Sequence, residues 1–279
     1  MHSAERVAAY YDRYTQSFYL DRWHPEDIHF GLFPAGSDLR DHHRAVKCMT
    51  EAIVAPAGIR EQEVVIDAGC GVGGAALDIA RAHAASVLGL TISPVQVELA
   101  STRAQSACLS SRCRFEVADC SRALPCDDAS VDVVVTIEAA CHFDDKPGFL
   151  GECRRVLRPG GRLAGSDWMA TDAASKDDYH RLLQPVCDAW RLAGLASPHE
   201  WISMLTAAAF ELRECEDLGD EVFPNTAGLA RGRLELMLEM ATGGHPAETA
   251  RLWMEQYDTL LRAWAARRFT IGRFFAVAR

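Results

Sequence analysis

The stretch Glu63-Val64-Val65-Ile66-Asp67-Ala68-Gly69-Cys70-Gly71-Val72-Gly73-Gly74 constrains this chain more than any other. A β-branched apolar run ends in an acid and a glycine-rich turn, and residues 75–84 then read as a helix with an apolar side. Strand, glycine turn and helix form the opening unit of a doubly wound α/β fold. Without Cβ atoms, the glycines let a ligand approach the backbone closely. The spacing Gly69-x-Gly71-x-Gly73-Gly74 is not the Gly-x-Gly-x-x-Gly of dinucleotide binders, and no Lys-Ser/Thr follows to make a phosphate loop.

The rest of the sequence supplies the alternation such a fold needs. Strands are expected at Val64–Asp67, Ser86–Leu90, Cys113–Ala118, Val131–Ile137 and Arg162–Asp167, separated by helices, which argues for a parallel sheet. Val131–Ile137 is a continuous apolar run, as in a strand covered on both faces. Two more strands are expected at Phe210–Leu218 and Phe269–Ala278, with a mostly helical block between them. Upstream, residues 4–23 predict a helix whose Tyr10, Tyr14, Phe18 and Tyr11 share one side; Ile28–Phe33 reads as irregular or strand-like, and residues 38–58 as a second helix. The expected division is 1–60 as a helical lid, 61–220 as an α/β core, 221–268 as a helical substrate-binding insertion and 269–279 as the last core strand.

Composition removes several functions. A net charge of −10 argues against nucleic-acid binding. No apolar run reaches the roughly 20 residues that span a bilayer, and the first residues open no apolar leader, so a cytoplasmic location is expected. The ten cysteines form no Cys-x-x-Cys pair and read as reduced core thiols; no metal site is expected, and homo-oligomerisation stays open.

In open α/β sheets ligands lie at the carboxyl ends of the strands, so the loops after the first four strands are the candidate site. Asp67-x-Gly69-x-Gly71-x-Gly73 after a strand resembles the signature of class I S-adenosylmethionine (SAM) methyltransferases. That resemblance implies a Rossmann-like, seven-stranded, mostly parallel sheet with a helical N-terminal lid and a helical insertion. It also implies that Asp67 and the backbone of Gly69, Gly71 and Gly73 hold the methionine part of SAM. Asp119, followed by Cys120, would take the adenine amino group. Many such enzymes carry an acid after the second strand for the ribose; here the position is Thr91, so its hydroxyl or Gln96 would replace the carboxylate. This loop is similar to that of tocopherol-type and cyclopropane-fatty-acid-type methyltransferases.

The fourth strand runs into Ile137-Glu138-Ala139-Ala140-Cys141-His142, which resembles the sterol side-chain methyltransferases, enzymes that methylate carbon. Tyr10-Tyr11-Asp12, Ile28-His29-Phe30, Val156-Leu157-Arg158-Pro159-Gly160-Gly161 and Asp167-Trp168-Met169-Ala170-Thr171-Asp172 agree with that family. Alkene methylation leaves a carbocation, so the site must exclude water, stabilise the cation and remove a proton. Aromatic faces contribute roughly 0.5–2 kcal/mol each to a cation; Tyr10, Tyr14, Phe18, Trp23, Phe143 and Trp168 are the candidates. Glu138 and His142 are the expected catalytic pair, with His29 and Tyr14 behind them. Glu138 has a second reading as a ligand to the SAM ammonium, and Tyr10 as a cofactor contact from the lid. The expected acceptor is a small apolar isoprenoid: a terpenoid, a prenylated natural product or a prenyl diphosphate. Only a diphosphate would call for Mg, with Arg231, Arg233, Arg262, Arg267 and Arg268 as its cationic partners, although a solvated basic face is the better reading of these five. O- or N-methylation of a small metabolite is the alternative enzyme, and a non-catalytic SAM-binding scaffold the alternative of another class.

Overall fold

The computed structural model describes residues 3–242 and 246–279. Seven strands form one sheet in the order β3-β2-β1-β4-β5-β7-β6: β1 Val64–Ala68, β2 Ser86–Thr91, β3 Cys113–Val117, β4 Val131–Ile137, β5 Leu157–Ala170, β6 Phe210–Asp217 and β7 Phe269–Ala278. All pairings are parallel except those of β7, which runs antiparallel to both β5 and β6. The strand order reverses between β1 and β4, so their carboxyl ends flank the topological switch point.

Strand residues alternate between two cores. Val65, Val133 and Val135 face one, with the N-terminal and insertion helices; Ile66, Val134 and Leu163 face the other, with Phe149, Leu150 and Trp201. The expected strands are all present, and β4 and β7 have the expected ends. β5 departs most, at 14 residues instead of the six expected. Its pairing with β4 ends at Ser166, but β7 continues to pair with it as far as Ala170. That antiparallel partner is remote in sequence, so the apolar pattern of 162–167 alone did not reveal the extension.

Helix α1 (Ser3–Tyr14) passes into a π-helical stretch, Thr15–Leu20, a geometry that often marks functional sites. α2 (His42–Val54) is capped by Asp41, whose side chain accepts from the Arg44 amide. α3 (Gly74–His83), α4 (Pro94–Ser106) and α5 (Lys146–Val156) cross between the parallel strands. α6 (Lys176–Asp178), a second π stretch (Tyr179–Leu183) and α7 (Gln184–Trp190) make up the expected helix near 175–193, followed by α8 (Pro198–Ala207). Between β6 and β7 lie α9 (Gly219–Val222), α10 (Asn225–Ala241) and α11 (Ala247–Ala265).

Ile28–Phe33 is not a strand, yet its backbone is tied down. Leu32 donates to the Ala45 carbonyl and Phe33 to that of Glu221. The Asn225 carboxamide pairs with Gly31 twice, accepting from its N–H at 3.0 Å and donating to its carbonyl at 2.7 Å. One residue of α10 thus does for this segment what a neighbouring strand would do. All ten cysteines are free thiols. Among the described residues no helix is long and apolar enough to cross a membrane, and no group of acids, histidines and cysteines is arranged to hold a metal.

Candidate active site

A cavity of about 1180 Å³, open solvent at its mouth included, lies over the carboxyl ends of β1 and β4. Its floor at one end is the glycine turn. Gly69, Gly71 and Gly73 have φ of 85°, 52° and 85°, a region that penalises any residue with a Cβ. A Cβ on Gly69 would lie 2.2 Å from that of Ala139, so the turn and the end of β4 touch directly. The Gly69 and Cys70 amides both donate to the Leu90 carbonyl at 2.8 Å, which pins the turn to β2. Asp67 is 2% exposed, lines the cavity, and has an Oδ2 without a hydrogen-bond partner. Burial, and then the charge of Asp27, push its pKa up to about 7. An orphaned buried carboxylate beside a cradle free of side chains fits a ligand that brings a cation. SAM brings an ammonium and a sulfonium.

The second loop also reaches the cavity. Thr91 and Gln96 both line it, and the Thr91 hydroxyl donates to Gln96 Oε1 at 2.6 Å. The Gln96 amide nitrogen donates to the Thr15 hydroxyl at 3.2 Å, and the Ser93 hydroxyl donates to Asp12 Oδ1 at 2.5 Å. The candidate ribose residues are therefore latched to the lid where α1 becomes π-helical. Asp119 and Cys120 do not line the cavity. Asp119 accepts from the amide and hydroxyl of Ser121 and pairs with Arg122, and Cys120 is buried in the second core. Gly73 also sits outside the wall; its neighbour Gly74 faces in.

Glu138 marks the other end. It follows β4 with φ of 51°, an unfavourable conformation for a non-glycine residue and one that concentrates at functional sites. Its Oε1 accepts from the Phe30 amide at 3.0 Å and its Oε2 from Trp168 Nε1 at 2.7 Å. Burial raises its pKa to about 8, against the lowering effect of those two hydrogen bonds. His142 Nδ1 lies 3.0 Å from the Arg191 carbonyl, which can only accept, so Nδ1 carries the proton. Nε2 is then a lone pair, and it accepts from the Tyr11 hydroxyl at 2.8 Å. Burial lowers the pKa of His142 to about 4, so it is neutral near pH 7. Tyr11 stacks on Tyr19 with centroids 5.7 Å apart.

Aromatic rings dominate the remaining wall: Phe18, Tyr19, Trp23, Phe30, Trp168, Trp190 and Tyr257 accompany Tyr11 and Phe143. No lysine or arginine lines it, whereas Glu26, Asp27, Asp67 and Glu138 do. Arg233, Arg267 and Arg268 pair with Asp258, Asp220 and Asp178 instead, and Arg262 donates to the Asp258 carbonyl. None of these, nor Arg231, reaches the cavity.

Three expected residues are placed differently. His29 lines the cavity, but its Nδ1–H donates to the Phe30 carbonyl at 2.9 Å and its Nε2 meets the Thr50 hydroxyl of α2 at 3.2 Å, so both ring nitrogens are engaged, as they are in His142. Tyr10 is buried behind the wall, hydrogen-bonded to Tyr19 and accepting from Gln256 Nε2 at 2.6 Å. Tyr14 packs on Trp253. The i, i+4 spacing of Tyr10, Tyr14 and Phe18 marks the buried side of α1 and its π-helical continuation, from which Tyr11, Phe18 and Tyr19 are the rings that line the cavity. Asp27 and Trp190 were not foreseen: an acid in an irregular segment and a tryptophan inside a helix carry no local signal.

A methyltransferase-domain family model matches residues 66–165. The chain is 31% identical over 252 residues to O-methyltransferase resE of Aspergillus sclerotiorum, covering 86% of this chain and 91% of that one. It is 30% identical to the "Probable tocopherol O-methyltransferase, chloroplastic" of Oryza sativa subsp. japonica over 79% of its own length, and spans 63% of that protein. It is 33% identical to sterol 24-C-methyltransferase ERG6B of Gibberella zeae over 69% of its length, and spans 50% of that protein. Among solved structures, geranyl diphosphate C-methyltransferase from Streptomyces coelicolor A3(2), in complex with Mg²⁺, geranyl-S-thiolodiphosphate and S-adenosyl-L-homocysteine, superposes with a TM-score of 0.80 at 17% identity, covering 100% of this chain and 99% of that one. Strand order, glycine turn and sequence similarity over nearly the whole length agree: the chain belongs to the class I SAM-dependent methyltransferases, and resembles their sterol and isoprenoid C-methyltransferase branch.

Proposed function

We propose that this methyltransferase methylates an alkene carbon of a small, uncharged isoprenoid, a terpenoid or prenylated natural product. The observation that carries this reading is the aromatic wall without lysine or arginine that closes around Glu138. SAM supplies an electrophilic methyl group when bound. Asp67 and the glycine turn hold its methionine part, and Thr91 or Gln96 its ribose. Trp168 and the Phe30 amide fix the Glu138 carboxylate, which faces the positive charge that grows on the substrate. Neighbouring rings contribute roughly 0.5–2 kcal/mol each to that charge. The proton lost from the substrate passes to Glu138 in its ionised form, or to His142 Nε2 once the Tyr11 hydroxyl turns away from it; the Arg191 carbonyl sets that ring's orientation. Residues 1–60 act as the lid and 221–268 as the insertion that completes the acceptor end, through Leu229 and Tyr257. A prenyl diphosphate, as in the Streptomyces coelicolor enzyme, would find four carboxylates and no cationic side chain in this wall.

O-methylation is the second reading, favoured by the neutral His142–Tyr11 pair and by similarity to resE over nearly its full length. Such a pair could take the proton of a substrate hydroxyl. Purified protein with methyl-labelled SAM, offered geraniol, geranyl diphosphate and a prenylated phenol, separates these readings. The alkene reading expects label on geraniol carbon and none on the diphosphate; label confined to hydroxyl oxygens would replace it with the second.

A further inference from the structure

Asp27 lies in the irregular segment between the lid helix and α2, is 4% exposed, and lines the cavity. A Cβ on Gly74 would fall 1.9 Å from its Oδ1, so the carboxylate rests directly on the first turn of α3, beside the glycine turn. Its Oδ2 is 3.0 Å from Lys47 Nζ, and Lys47 also pairs with Glu26 at 3.1 Å and Asp78 at 2.8 Å. Its Oδ1 lies 3.8 Å from His29 Nε2. Burial alone would keep Asp27 protonated, but the charges of His29 and Lys47 outweigh it and hold the acid below its ordinary pKa. Asp27 is thus an anion, and Asp67, within reach of its field, keeps an oxygen with no partner.

Two carboxylates that line one cavity beside one glycine turn call for a cation next to them. We infer that Asp27 is a positioning residue for the cofactor, a second carboxylate that receives the ammonium of its methionyl part together with Asp67. The inference rests on SAM as the methyl donor and is independent of which atom of the acceptor is methylated. It gives the segment between α1 and α2 a direct hold on the cofactor.

The alternative is an acid that only stabilises α3 and neutralises Lys47. Two ligands distinguish these roles. S-adenosylhomocysteine carries the ammonium; 5′-methylthioadenosine keeps the adenosine and thioether and lacks the amino acid. By calorimetry, Asp27→Asn should weaken S-adenosylhomocysteine about 10- to 100-fold, as expected for one hydrogen bond to a charged group, and leave 5′-methylthioadenosine within about twofold. Lys47 keeps Glu26 and Asp78 in this variant, and a melting curve checks its fold. Asp27→Ser serves if the amide variant does not fold. With wild-type protein, S-adenosylhomocysteine lacking its amino group should bind at least about tenfold more weakly than the parent. Equal losses for both ligands, no loss for either, or parity of the deaminated compound on wild-type protein would overturn the assignment.

Discussion

Asp67, Glu138 and Asp167 are carboxyl groups whose pKa values burial raises to about 7, about 8 and about 6. A carboxyl whose folded-state pKa exceeds its unfolded value stabilises the fold fully below the unfolded value, and this contribution is lost as pH rises through the folded one. His24, His42 and His142 act oppositely, since burial lowers each to about 4 and stability rises towards the ordinary histidine pKa. The two sets compete up to about pH 6.5, and above it the carboxyls act alone. Thermal melts of the ligand-free protein should therefore fall between about pH 6.5 and about pH 8, and the rise in melting temperature on adding S-adenosylhomocysteine should be larger at the upper end. A ligand-free melt that is flat or climbs through this window would mean that these carboxyls are not held protonated. At the acceptor end, Glu138→Gln keeps the shape and removes the group that, once ionised above about pH 8, can accept a proton. Turnover should drop by about 10² to 10⁴, the usual contribution of a general base, with SAM affinity retained by calorimetry. Wild-type turnover would leave Glu138 a structural residue. Asp67, Glu138 and His142 could be placed near the cavity from the sequence because Asp67 lies near the end of β1 and the other two follow β4, strands that valines announce. Asp119 follows a strand as well, but Ser121 and Arg122 occupy its carboxylate, and only the fold reveals that.

Among the elements, the N-terminal helical segment and the helices between β6 and β7 pack on each other as well as on the sheet. Phe18 packs on Trp253, Trp190 and Tyr257 with centroids 5.2–5.9 Å apart, and Gln256 donates to Tyr10. Deleting residues 1–23 would uncover this aromatic cluster, so a single substitution is the cleaner probe. Trp253 is 1% exposed and does not line the cavity. Trp253→Ala should cost about 3–5 kcal/mol in denaturant unfolding, the range for a large aromatic removed from a core. It should also raise protease cleavage within α1. A loss under about 1 kcal/mol would show that the lid is held by something else. The helices of this assembly were legible from their periodicity; their mutual packing was not, because residues 18 and 253 meet only after the whole protein has folded.

For the whole molecule, the sheet supplies rigid strand ends and the helices outside it supply the walls, which is how one fold can serve many acceptors. The strands and the mostly parallel sheet follow from seven apolar runs and the helices between them, whereas the place of β7 between β5 and β6 is seen only in the fold. The acceptor does not follow from the fold, since relatives on it include O-methyltransferases and sterol C-methyltransferases. The feature that bears on the acceptor is the content of the wall: among the described residues, nine aromatic residues, four acids and no lysine or arginine. The most direct test is the position of the transferred methyl in the product formed from an uncharged terpenoid alkene and SAM labelled with ¹³C at its methyl. The account predicts a ¹³C methyl bonded to carbon, with loss of one substrate proton and a double-bond position that shifts in His142→Ala. A ¹³C methyl bonded to oxygen, with the alkene intact, would contradict it.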